Sequence, residues 1–70
     1  MKLKGWNEPS PQDIRVLALI AEGLSNKEIA ERLKIKEKTV RNYTDKIYTK
    51  LSVNNRVKAI IAGKERGWIE

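Results

Sequence analysis

The chain has no cysteine, no histidine and no phenylalanine, and only two prolines and four glycines in its 70 residues. Without cysteine there is no disulfide and no thiolate metal site. Without histidine the commonest general base and metal ligand is missing as well. Ser and Lys leave nucleophilic catalysis formally open, but no pattern assembles a nucleophile, a base and a group to orient it. No apolar run approaches the ~20 residues of a membrane-spanning helix, and the N-terminus lacks the apolar stretch of a signal peptide. These absences predict a protein that is not an enzyme, uses no metal or cofactor, and works in the cytoplasm. Its length suits one domain near the lower limit of unaided folding. A composition that is 34% charged and 40% hydrophobic fits a small globular domain rather than a disordered tail.

Two units are expected. Residues 1–9 carry Lys2, Lys4, Gly5 and Trp6 with no sustained period, and read as an arm or linker remnant. Trp6 is either a lid over the core or a linker residue. Residues 10–70 hold signals for four helices and none for a strand, so the expected fold is all-α, a compact four-helix domain. Ser10-Pro11-Gln12-Asp13 opens the first helix with a capping box and a proline at its first position. Ile14, Leu17, Ala18 and Ala21 then recur at helical spacing, widened by Val16 and Ile20. Gly23 should stop this helix, with Leu24 folding back onto Leu19 or Ile20. Ser25 to Glu28 repeats the capping box and starts a second helix that ends near Leu33. A third spans about 37–51 with Val40, Thr44, Ile47 and Leu51 on one stripe. Asn54 or Asn55 caps a fourth, from about Arg56 to Arg66, and Gly67 leaves Trp68 and Ile69 to pack back.

The informative stretch is SNKEIAERLKIKEKTVRNYT, Ser25 to Thr44. Its apolar residues Ile29, Ala30, Leu33, Ile35 and Val40 are spaced for two short helices crossing through a tight turn, a helix-turn-helix. Ala30 permits close approach, Ile35 plugs the turn and Val40 anchors the second helix from beneath. Charge gives this pattern a functional meaning. Lys34 to Lys58 holds eight basic residues against Glu37 and Asp45, so this segment carries +6, the formal net charge of the whole chain. A helix-turn-helix whose second half holds all the excess positive charge predicts double-stranded DNA as partner.

With Val40 inward, the outer arc of the third helix presents Lys38, Arg41, Asn42 and Asp45, and further along Thr49. Arginine can take both major-groove acceptors of guanine, asparagine can pair with adenine, and aspartate can accept from cytosine. Lys38, Arg41, Asn42 and Asp45 are therefore candidate base contacts. Asp45 has two readings, a base contact or an i, i+4 partner that orients Arg41. Ser25, Asn26 and Lys27 begin the second helix, where free amides and the dipole favour an anion. Thr39, Tyr43 and Lys46 flank the reading face, so all six are candidate phosphate contacts. Lys50, further along, is expected in solvent.

These residues carry a resemblance. AEGLSNKEIAERL, followed by KTVRNY and NRVKAI, closely resembles the LuxR-type (GerE-like) helix-turn-helix domain of bacterial transcription regulators, over Ser10 to Ile69. The resemblance implies a four-helix domain that places helix three in the major groove and dimerises on DNA through helix four. It implies base-facing positions for Arg41, Asn42 and Asp45, backbone positions for Lys27, Thr39 and Lys46, and a tie between helices two and four through Glu28 and Arg56. It also implies a sensing or receiver domain on the N-terminal side in longer relatives, so the chain would be a stand-alone regulator or an effector domain. The chain departs from the family pattern at Lys36, where Ser often caps helix three, and at Pro9, Ile14 and Thr44.

Helix four is apolar on more than its core face, since Val57 and Ile61 stand one turn apart with Ala62 nearby. This flank is either a homodimer surface, weak in free solution, or the place where Trp6 or Trp68 covers the helix. A rival function is a protein-interaction module docking on RNA polymerase or another regulator, which calls for a more apolar face than Lys38, Arg41, Asn42, Asp45 and Thr49. Single-stranded or RNA binding finds few aromatics for base stacking.

Overall fold

A computed structural model describes residues 8–70, so the readings of Trp6 as lid or linker fall outside the described residues. The element order is α1 Pro11–Ala21, α2 Asn26–Leu33, α3 Glu37–Leu51 and α4 Arg56–Glu65, all helical as expected. Both capping boxes form. Ser10 accepts from the Asp13 amide while the Asp13 carboxylate accepts from the Ser10 amide. Ser25 and Glu28 do the same for α2. Asn55 is the cap of α4, accepting from Lys58 at 2.8 Å. Lys36 gives α3 no side-chain cap.

Every helix is followed by a residue of positive φ: Gly23 at 95°, Lys34 at 59°, Ser52 at 59° and Gly67 at 77°. After α1 the Gly23 amide donates to Ile20 at 2.9 Å and the Leu24 amide to Leu19 at 3.2 Å, the paired bonds of a Schellman stop. Ser52 and Val53 make the equivalent bonds to Thr49 and Tyr48. Glycine adopts this conformation freely, whereas Ser52 brings its Cβ close to a carbonyl at a cost of roughly 1–2 kcal/mol. Glycine also frees the unfolded chain, which offsets part of the benefit. Ser52→Gly should therefore stabilise the domain by about 0.5–1 kcal/mol, read as a higher urea midpoint with an unchanged slope.

The core is built from Val16, Leu17, Leu19 and Ile20 of α1, Ile29 and Ala30 of α2, Val40, Ile47 and Leu51 of α3, and Ala59 of α4. Thr44 completes the α3 stripe, buried, with its hydroxyl donating to the Arg41 carbonyl at 2.8 Å. The α1 stripe differs from expectation. Its buried arc is Asp13, Val16, Leu17 and Ile20, with Leu19 beside it, while Ile14 and Ala18 are half-buried and Ala21 is exposed. The helix is rotated so that a charged residue takes the place that a purely apolar stripe assigns to Ile14.

Lys50 explains that rotation and corrects its own assignment to solvent. Its ammonium lies 2.9 Å from Asp13 Oδ2 and donates to the Glu8 carbonyl at 3.2 Å. The C-terminal end of α3 is thereby fastened to the start of α1. A second fastening joins α4 to the α1–α2 turn, where the Arg56 guanidinium donates to the Leu24 carbonyl. Glu28 commits its carboxylate to the Ser25 amide, so the implied tie runs from Arg56 to backbone and bypasses Glu28. Against α1, α4 comes close at Gly63, where an added Cβ would stand 2.7 Å from Leu17 Cδ2. Trp68 and Ile69 then fold back against the core as half-buried residues.

Candidate nucleic-acid interface

The face of α3 follows from its buried stripe. Val40 and Ile47 are fully buried, so the helix cannot turn without exposing them. At roughly 100° per residue, Lys38, Asn42, Asp45 and Thr49 fall within about 40° of the point opposite Val40, and Arg41 about 80° from it. All five are exposed. The face is uncluttered by internal pairing. Among the described residues the one ion pair is Lys50–Asp13, so Arg41 and Asp45 do not hold each other across the turn. The Thr49 hydroxyl donates to the Asp45 backbone carbonyl at 2.9 Å, which leaves the Asp45 carboxylate without that donor.

The flanking residues divide by exposure. Lys46 is exposed, and its ammonium stands over the Tyr43 ring at 5.4 Å from the centroid. This cation–π contact holds the charge beside the reading face. Tyr43 and Thr39 are half-buried at the same margin. At the start of α2, Lys27 is exposed and Asn26 half-buried. Ser25 has its hydroxyl on the Glu28 amide at 3.2 Å, and the Glu28 carboxylate on the Ser25 amide already sets a negative charge at this helix end. At the start of α3, by contrast, Lys36 makes no side-chain bond to the first-turn amides. Positive partial charge and free N–H groups are thus available there beside Lys36 and Lys38.

On α4, Val57 and Ile61 are 64% and 52% exposed, the two large apolar side chains left in solvent among the described residues. Ala62 and Trp68 are half-buried against the core. What sequence reasoning missed is the support behind the face, Asp13–Lys50 and Arg56–Leu24. Helical periodicity held a signal for the first, since Asp13 shares an arc with Val16, Leu17 and Ile20. Among the described residues no group of His, Cys, Asp and Glu side chains is arranged to hold a metal ion. No described helix is long and apolar enough to cross a membrane.

Comparison with known proteins agrees with this geometry. The family model for bacterial regulatory proteins of the luxR family matches residues 10–62. The transcriptional regulatory protein DesR of Bacillus subtilis is 47% identical over 68 residues, which is 93% of this chain and 34% of DesR. The DNA-binding transcriptional activator DevR/DosR of Mycobacterium tuberculosis is 41% identical over 54 residues, 77% of this chain and 25% of that protein. In solved structures, the response regulator ChrA of a heme-sensing two-component system superimposes with a TM-score of 0.89 at 37% identity, covering 97% of this chain and 33% of ChrA. The chain thus spans about a third or less of the length of these relatives.

Proposed function

Because the chain belongs to the luxR family of bacterial regulatory proteins, we propose that it binds double-stranded DNA sequence-specifically and regulates transcription in the cytoplasm. The observation that carries this reading is the exposed quartet Lys38, Arg41, Asn42 and Asp45, from the first turn of α3 to its middle, on the side turned away from buried Val40. A major groove admits one helix, and the N-terminal residues of a recognition helix reach the base edges. In this reading Lys38, Arg41, Asn42 and Asp45 meet bases. Ser25, Asn26, Lys27, Thr39, Tyr43 and Lys46 meet phosphates on either side. Two copies pair through α4, with Val57 and Ile61 at the contact and Ala62 at its margin, and set two reading helices into successive grooves.

Selection of bound sequences from a random duplex pool tests this function. Arg41→Ala should weaken binding to the selected site by about 1–3 kcal/mol and relax base choice at one position per half-site. Lys27→Ala and Lys46→Ala should each flatten the dependence of log affinity on log salt by about one unit and leave the selected sequence unchanged. Loss of affinity on all sequences alike in Arg41→Ala would make Arg41 a phosphate contact. A binding constant insensitive to salt would remove nucleic acid as the partner.

A further inference from the structure

Asp45 is the one acidic side chain of the basic segment with no local reason for its position. Glu37, the other, lies in the first turn of α3, where the helix dipole favours a carboxylate. Asp45 is in mid-helix, exposed, and within ion-pair distance of no cation among the described residues. Arg41 lies one turn earlier without engaging it. Lys46, its neighbour in sequence, is held over the Tyr43 ring on the far flank, and Thr49 directs its hydroxyl to the Asp45 backbone carbonyl rather than to the carboxylate. In free solution water satisfies this carboxylate. In a groove it loses that water and must find a donor, because a desolvated charge left unmatched is costly.

Resting on the reading of α3 as the groove-entering helix, we propose that Asp45 is a specificity-determining residue that requires cytosine at one position of each half-site. A carboxylate can only accept. On the major-groove edge guanine presents two acceptors, thymine an acceptor and a methyl group, and adenine an acceptor beside its amino group. Cytosine alone presents a donor with no acceptor on the same base. Asp45 therefore forms an unopposed bond opposite cytosine, meets the N7 lone pair beside the one donor of adenine, and finds only acceptors on guanine and thymine. Its charge is also repelled by the phosphates that line every groove, whatever the sequence. The two effects predict an unusual pairing, with the residue lowering affinity for DNA in general while raising selectivity for its own site.

The test compares the unmodified domain with Asp45→Asn and Arg41→Ala by selection from random duplexes, followed by titration of the selected site and its single-base variants. The introduced asparagine is neutral and isosteric with aspartate, and it both donates and accepts; circular dichroism confirms that the fold is kept. The unmodified domain should select an invariant cytosine, and replacing that base should weaken its binding about ten-fold or more. In Asp45→Asn the penalty at that position should shrink to about two-fold, while binding to unrelated duplex should strengthen several-fold. A uniform gain on all sequences, with the cytosine preference intact, would overturn the proposal and leave Asp45 a bulk charge. Selection by the unmodified domain of a base other than cytosine at the position that Asp45→Asn alters would overturn it as well. If both substitutions alter the same single position, Asp45 acts by orienting Arg41 and the proposal fails while the DNA-reading assignment of α3 stands. If neither substitution changes any base preference, the assignment of α3 itself fails.

Discussion

Replacing Lys50 with Met should destabilise the domain by about 3 kcal/mol, because it removes a cation from a carboxylate that has no access to water. Asp13 is 0% exposed; its Oδ2 accepts from the Ser10 amide at 3.0 Å and from the Lys50 ammonium at 2.9 Å. Its Oδ1 has no hydrogen-bond partner among the described residues, so the site has no spare donor to compensate for a lost one. Lys50 keeps 20% of its side chain in solvent, which places the expected cost at the lower end for a broken buried pair. For a domain of this size the whole stability is of order 5 kcal/mol, so the variant should be close to unfolded at room temperature. Combining Lys50→Met with Asp13→Asn should recover most of the loss, since no charge is then left buried and Asn can still accept from the Ser10 amide. A Lys50→Met variant within about 0.5 kcal/mol of the parent in urea unfolding would show that the pair does not hold α3 to α1.

Acid titration separates the same two states. Burial alone pushes the Asp13 carboxyl upward, but the Ser10 amide and the Lys50 ammonium outweigh it and hold the group below its ordinary value of 3.8. A carboxyl whose pKa is lowered by folding contributes stability above its unfolded value. That contribution is lost as pH falls below about 3.8 and through the folded value. The parent domain should therefore lose stability from this group in that window. In Lys50→Met burial is opposed by Ser10 alone, through its amide and its hydroxyl, so that acid-dependent loss should shrink or reverse.

How much of this was legible from the chain can be judged at particular residues. Ser10–Asp13, Ser25–Glu28, Gly23 and Gly67 announce helix ends because a cap or a left-handed stop needs a specific residue type. The α3 stripe is legible for a similar reason, since Val40, Thr44, Ile47 and Leu51 leave the outward side to Lys38, Arg41, Asn42 and Asp45. Lys34 and Ser52 were not legible as left-handed residues, because neither side chain favours that conformation and the bonds that accompany it, Ile35 amide to Ala30 and Val53 amide to Tyr48, are made by backbone. Asp13 hid for another reason. Its capping role accounts for it locally, and only a lysine 37 residues away makes its burial tolerable. Arg56 makes its tie to a backbone carbonyl, a partner that no pattern of side chains reveals. At the interface, four-residue spacing permits an Arg41–Asp45 pair, and the unbound fold does not form it.

Ile61→Asp should abolish paired occupancy of a duplex carrying two half-sites while sparing both the fold and the weak binding of one half-site. The motive is the solvent-facing pair Val57 and Ile61, 64% and 52% exposed on a helix whose opposite side already contributes Ala59 and Gly63 to the interior. An aspartate at that position stays in water in the single domain, so circular dichroism and the urea midpoint should be unchanged. In a two-fold contact the same substitution sets two carboxylates near each other across the axis, where like charges repel and apolar burial is lost. One short helix against its copy buries far less than the ~1,200 Å² of a standard stable interface, so the free domain should be monomeric at micromolar concentration. DNA supplies the missing stability by holding two copies at high effective concentration on adjacent half-sites. Titration of one-site and two-site duplexes separates these terms. The parent should fill the two-site duplex cooperatively, and Ile61→Asp should fill it as two independent sites with the one-site affinity. Retained cooperativity in Ile61→Asp would place the contact elsewhere on the surface, and loss of one-site binding would tie Ile61 to the reading helix rather than to assembly.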